Sequence, residues 1–161
     1  MARQYWVDLA PTEVSDAIDL VELVPAAGNP IRILATQIGQ TSDFGDANAE
    51  NLVLTWIRGH SVAGSGGTTV TPVPNSPGTD AALFTAKSFN TTIASGGTPV
   101  IGPRLCFNIA LGIDKTFHLA KFEVKSTDGT LVLRIIDANT GTAPIDPLTI
   151  HGSILVEELG L

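Results

Sequence analysis

Charge is scarce in this chain. Asp, Glu, Lys and Arg make up 16% of its 161 residues, against about a quarter in an ordinary domain. An isolated domain usually dresses its surface with more of them. The shortage points to surface that meets protein, in an oligomer or a larger assembly. Positive charge is the scarcer sign, with 9 Lys and Arg against 16 Asp and Glu and a net charge of −7. The basic residues are scattered, so there is no face for a nucleic acid. Cys106 is the sole cysteine. That excludes an internal disulfide and a thiolate zinc site built within one chain. Cys106 stands between Leu105 and Phe107 and reads as a small, half-buried strand residue. Long apolar runs are missing too. Nothing approaches the roughly 20 residues of a membrane span, and "MARQYWVDLAPTEV" holds no stretch of signal-peptide length. The expectation is a protein made in the cytoplasm, with no membrane and no nucleic acid among its partners.

What is present has a period of two. "LCFNIALG" sets Leu105, Phe107 and Ile109 on one face, and Cys106, Asn108 and Ala110 on the other. "NLVLTWIRG" does the same with Leu52, Leu54 and Trp56, and "LTIHGSILVEEL" with Leu148, Ile150, Ile154 and Val156. "PIRILATQIG", "LFTAKSFNTTIA", "TFHLAKFEV" and "GTLVLRII" are further strand-like runs. Turn signals separate them. The pattern predicts an all-β domain, a sandwich or barrel, with Leu105, Phe107, Ile109, Leu133, Ile135, Ile150 and Ile154 between two sheets. Residues 1–161 form one domain, large enough to bury roughly two-thirds of its unfolded surface. Residues 1–16 read as an N-terminal arm or edge strand. Residues 12–24 fit a helix or a strand, and the strand is favoured. Asp46 fits the N-cap of one helical turn in "DANAEN". Asp128-Gly129 predicts a tight hairpin joining "FEVKS" to "LVLRII". No internal repeat is evident.

No catalytic or metal-binding pattern emerges. His60, His118 and His151 lack metal spacing, and no nucleophile elbow accompanies His60. Asp43, Asp46 and Glu50 do not match a calcium loop and read as turn and cap residues. Gly64–Gly67 lack the Lys-Ser/Thr and the helix start of a phosphate loop. Asn90 opens an "NTT" sequon, which means nothing without secretion. The expectation is a non-enzymatic protein with no cofactor.

The long segment "SVAGSGGTTVTPVPNSPGTD", residues 61–80, is almost entirely Gly, Pro, Ser, Thr, Asn and Asp. Connections in compact domains run about 4–6 residues, so a loop of this length usually binds something.

Three stretches carry a resemblance: "IGQTSDFGDANAENLVLTWIRGHSVAGSGGTTVTPVPNSPGTDAA", "NTTIASGGTP" and "LTIHGSILVEELG". Together they resemble small virion proteins of tailed bacteriophages and prophages, some of them capsid decoration or cement proteins with a jelly-roll-like fold. The likeness runs from about Ile38 to the end. It implies a single jelly-roll-like antiparallel β-sandwich, a homotrimer on the outside of a phage head. The implied partners are the major capsid protein and further copies of the chain. A receptor- or glycan-binding module of a fibre or tail is the alternative. The chain's short supply of aromatic platforms, Tyr5, Trp6 and Trp56, weighs against it.

That resemblance suggests a use for the long loop. Extended Gly/Pro/Thr chain can drape over neighbouring subunits and add backbone hydrogen bonds. The expected partner-binding residues are His60, Ser61, Val62, Gly64, Gly66 and Gly67, followed by Val70, Pro72, Pro74 and Pro77. Residues 61–80 and 95–103 are expected to be poorly ordered until they meet the capsid.

Overall fold

The computed structural model describes residues 3–42, 51–108, 113–116, 122–137 and 147–160. Its strands are β1 (Arg3–Val14), β2 (Ile18–Pro25), β3 (Ile31–Gln40), β4 (Asn51–His60), β5 (Thr68–Val70) and β6 (Val73–Pro74). They continue with β7 (Phe84–Asn90), β8 (Val100–Asn108), β9 (Ile113–Thr116), β10 (Glu123–Val124), β11 (Thr130–Asp137) and β12 (Leu148–Glu158). Residues 12–24 are extended rather than helical, as favoured: 12–14 end β1, 15–17 break the strand, and 18–24 belong to β2, where Ile18, Leu20, Val21 and Leu23 all find buried positions. Among the described residues there is no α-helix, and none long and apolar enough to cross a membrane.

Two antiparallel sheets pack face to face as a β-sandwich. The first runs β10-β3-β12-β1-β6, with β9 also against β3; the second runs β5-β7-β2-β11-β4-β8. The pairing is nested: β1 with β12, β2 with β11, β3 with β9 and β10, and β4 with β8. Successive pairs fall in alternate sheets. The chain is in effect one long hairpin rolled up on itself, with β5, β6 and β7 inserted between β4 and β8. β1 is integral to its sheet and pairs with β12 from Arg3 to Val14, around a bulge at Ala10-Pro11. A bulge suits Pro11, which has no N–H for a ladder.

The core lies between the sheets. Trp56, Leu54 and Leu52 of β4 and Leu131, Leu133 and Ile135 of β11 face it from one side. Tyr5, Val7 and Leu9 of β1 and Ile150, Ile154 and Val156 of β12 face it from the other. The expected core residues Leu133, Ile135, Ile150 and Ile154 are fully buried, while Leu105 is only partly so. The Phe107 side chain, Ile109 and His118 lie outside what is described, as do Asp43, Asp46 and Glu50. Cys106 is exposed rather than half-buried. It sits on β8, which has a ladder partner on one side only among the described strands.

The hairpin expected at Asp128-Gly129 does not form. β10 joins the first sheet through β3, while β11 joins the second between β2 and β4. A 3-10 turn at Ser126–Asp128 and Gly129, with φ at +76°, carry the chain across the sandwich end instead. The turn chemistry is as read. The partners differ because the apolar faces of β10 and β11 are buried from opposite sides.

Candidate functional site

The long loop is not a free tether. It leaves β4 at His60, crosses the outside of the second sheet, and pairs with β7 through β5. Three residues beyond Val70 it has changed sheets, and Val73 and Pro74 pair with Trp6 and Tyr5 of β1. The segment is therefore a strap that spans one open side of the sandwich. Backbone and side-chain hydrogen bonds fasten its far end. Asn75 N–H donates to Gln4 O at 2.8 Å, and Trp6 Nε1 donates to Asn75 Oδ1 at 3.0 Å. The Tyr5 hydroxyl donates to Asp80 O at 2.8 Å, and Leu83 N–H donates to the buried Glu158 carboxylate. Glu158 is also paired with Arg3 at 2.9 Å. The expectation of a segment unordered without a partner is corrected by these contacts: the loop's partners are within its own chain.

The near end of the strap is held differently. In β11, Leu131, Leu133 and Ile135 point into the core, so Val132 and Arg134 point out of the sandwich. Val132 is nonetheless fully buried, although it is not part of the main core. Against the outward side chains of this sheet lies a second pair of segments, residues 61–67 and 91–97. They join each other antiparallel, with Val62 opposite Ser95 and Ser65 opposite Thr92, through four backbone hydrogen bonds of 3.0 Å each.

Two carboxylates from β2 anchor this clasp. Asp19 is 0% exposed and Glu22 is 1% exposed. Asp19 binds Arg134 in bidentate fashion, at 2.7 and 3.2 Å, and accepts the Ala94 N–H at 2.7 Å. Arg134 also donates to Ala94 O at 2.9 Å. Glu22 accepts the Gly64 N–H at 2.6 Å and Asn90 Nδ2 at 3.2 Å. Residues three apart in a regular strand face opposite ways. Here β2 gains an extra residue against β11: Val21 pairs with Leu133 and Asp19 with Arg134, with Leu20 between. That slip turns both acids to one side.

The clasp has a pseudo-two-fold symmetry that the sequence reading missed. "GHSVAGSGGT" at residues 59–68 aligns with "FNTTIASGGT" at 89–98. Gly64 and Ala94 are equivalent, and each donates its N–H to a carboxylate of β2. Gly59 and Phe89 are equivalent, and both have positive φ, +93° and +54°. The recurring Ser-Gly-Gly-Thr was the available signal, too short to register as a repeat. Contact explains the glycines. A Cβ on Gly64 would lie 2.5 Å from Asn90 Nδ2 and 2.8 Å from Thr92 O. One on Gly97 would lie 2.2 Å from Gly59 O.

The expected partner-binding residues therefore divide. His60 and Gly64 are buried, and Gly67, Val70 and Pro72 are half-buried. Ser61, Val62, Gly66, Pro74 and Pro77 are exposed. Val62 is 57% exposed and Ile93, on the neighbouring segment of the clasp, 38%. These two apolar side chains on one backbone-held platform were not paired by sequence reasoning, because Ile93 is 31 residues from Val62 along the chain. Asn90 of the sequon is buried against Glu22. Among the described residues, no group of three or more His, Cys, Asp and Glu side chains is placed to hold a metal ion.

His60 ends β4 beneath the clasp. The Gly96 backbone is near its ring, but among the described residues neither ring nitrogen completes a hydrogen bond. Burial first, and then the Arg134 charge, hold its pKa below the ordinary 6.5. Asp19 and Glu22 oppose that shift without cancelling it. The unfolded chain accepts a proton near 6.5 that the folded one resists. Stability from this site is complete above 6.5 and falls as the pH drops below that value. Urea midpoints measured on either side of 6.5 should fall more for the wild type than for His60→Gln, and equal falls would remove His60 from the account.

Comparison finds no matching protein-family model, no matching curated protein and no matching solved structure.

Proposed function

We propose that the protein is a non-enzymatic phage virion protein that binds and stabilises the outer surface of the head, as a homotrimer assembled in the host cytoplasm. The nested strand order is read as a jelly roll, in keeping with the resemblance of residues 38–161 to decoration proteins. The observation that carries the reading is the clasp. It offers Val62 and Ile93 to a partner from a platform whose backbone is already hydrogen-bonded, so little ordering cost remains on binding. The low charge of the chain supports a surface that meets protein.

Deleting the strap would remove the Gly64 donor from Glu22 and the segment that pairs with residues 91–97, so it tests folding and binding together. Val62→Asp with Ile93→Asp separates them, because both side chains already face solvent. Light scattering should give three times the 16.8 kDa of the chain for wild type and variant alike. Co-sedimentation with undecorated shells should be at least about tenfold weaker for the variant, a loss equal to roughly 1.4 kcal/mol. A monomeric mass removes the trimer. Undiminished sedimentation of the variant removes the clasp as the grip.

A further inference from the structure

Beside the clasp, where β4 ends and β8 begins, lies a cavity of about 360 Å³. Arg58, His60, Ser61, Thr98, Val100 and Asp128 contribute to its walls. Its groups come from three separate places in the chain, and the turn that crosses the sandwich end supplies the third. We propose that this cavity binds a single neutral sugar unit through adjacent hydroxyl groups. The inference does not depend on the capsid reading.

The charge pattern selects the ligand class. Arg58 Nη1 donates to Glu123 O at 2.7 Å and stands 3.5 Å from Asp128 Oδ2. Asp128 also accepts the Lys125 N–H at 3.1 Å. Both side chains are thus held in place, yet each stays about one-third exposed, at 35% and 31%. One cation facing one anion leaves the site without net charge. A phosphate or carboxylate would meet Asp128 as well as Arg58, and strong anion sites lack such a carboxylate. A lone carboxylate with one imidazole falls short of a metal site. A pair of neighbouring hydroxyls suits the arrangement, since a hydroxyl both donates and accepts. One can accept from Arg58 while the next donates to Asp128.

A second observation points the same way. His60 is only 4% exposed and lines this cavity, and although the Gly96 backbone is near its ring, neither ring nitrogen completes a hydrogen bond among the described residues. A neutral imidazole offers one donor and one acceptor. Buried polar groups left in that condition call for an explanation such as a missing ligand or water. The depressed pKa of His60 keeps it in the neutral form suited to a hydroxyl partner. Ser61 and Thr98, both hydroxyl residues, also line the cavity. Val100, 46% exposed, supplies an apolar wall for the C–H face of a ring. The volume lies at the small end of ligand pockets, roughly 300–1,000 Å³. Among the described residues no Phe, Tyr or Trp lines this cavity, so none stacks on a sugar ring there. The affinity is accordingly expected near the millimolar range.

The test is an amide NMR titration of the full chain with methyl glycosides of glucose, galactose and mannose. Glycine and inorganic phosphate serve as a zwitterion and an anion. The expected result is saturable shifts at Gly59, Ser61, Thr98 and Gly129 with at least one glycoside. Ser61→Ala, at an exposed position, and Asp128→Asn, which keeps the side-chain shape, should each weaken that binding about tenfold, the scale of one hydrogen bond in such a site. Their spectra away from the cavity report that folding is intact. The proposal is overturned if no glycoside gives saturable shifts. It is also overturned if neither variant weakens them, or if glycine or phosphate binds the same residues as tightly.

Discussion

Replacing Asp19 with alanine is expected to cost the folded protein about 3–5 kcal/mol, the usual loss when one partner of a buried ion pair is removed. Asp19 is wholly buried, and three donors converge on it: two from Arg134 and the Ala94 N–H. Arg134 itself is only 16% exposed. Without Asp19 it becomes a nearly buried cation with no carboxylate bound to it, and the 91–97 half of the clasp loses an anchor. For a domain of this size, each kcal/mol lowers the melting temperature by roughly 2–4 °C. Urea denaturation at neutral pH measures the loss directly. Asp19→Ala combined with Arg134→Leu should recover part of it, because the orphaned charge is then gone. A single-variant loss below about 1 kcal/mol would mean that the pair does not hold the clasp. Recovery by the double variant distinguishes an orphaned charge from simple loss of packing.

Trp56→Ala should cost a similar amount, about 3–5 kcal/mol, for a different reason. Trp56 is fully buried in the middle of β4 and meets Phe122 with ring centroids 6.1 Å apart. Truncation leaves a cavity between two sheets whose ladders resist collapse. Trp56→Phe should cost much less, below about 2 kcal/mol. Among the described residues its indole N–H has no hydrogen-bond partner, so the loss expected is of volume. Thermal denaturation of the two variants side by side checks this. Equal losses for both would mean that the N–H matters more than the volume does.

The strands themselves were legible. Alternation at Leu52, Leu54 and Trp56 and at Ile150 and Ile154 is a local property, and a strand with one apolar face has to bury that face. Two packed sheets follow from several such strands. Glycine and proline clusters likewise marked where the ladders break. The candidate surface was legible only as a stretch of chain. Its composition identified residues 61–80 as unusual but not what lay beneath them.

The destination of that chain was decided by the tertiary structure. Asp19 and Glu22 look locally like solvent-facing residues of an apolar strand. Their burial depends on segments more than 40 residues away, which arrive only once β7 is in place beside β2. The same holds for the turn at Asp128-Gly129, whose residues suit a hairpin or a crossing equally well. Backbone dihedral preference acts over a few residues and so is written in the local sequence. Which face is covered, and by what, depends on where the rest of the chain removes apolar surface from water, and that is settled only when the sheets pack.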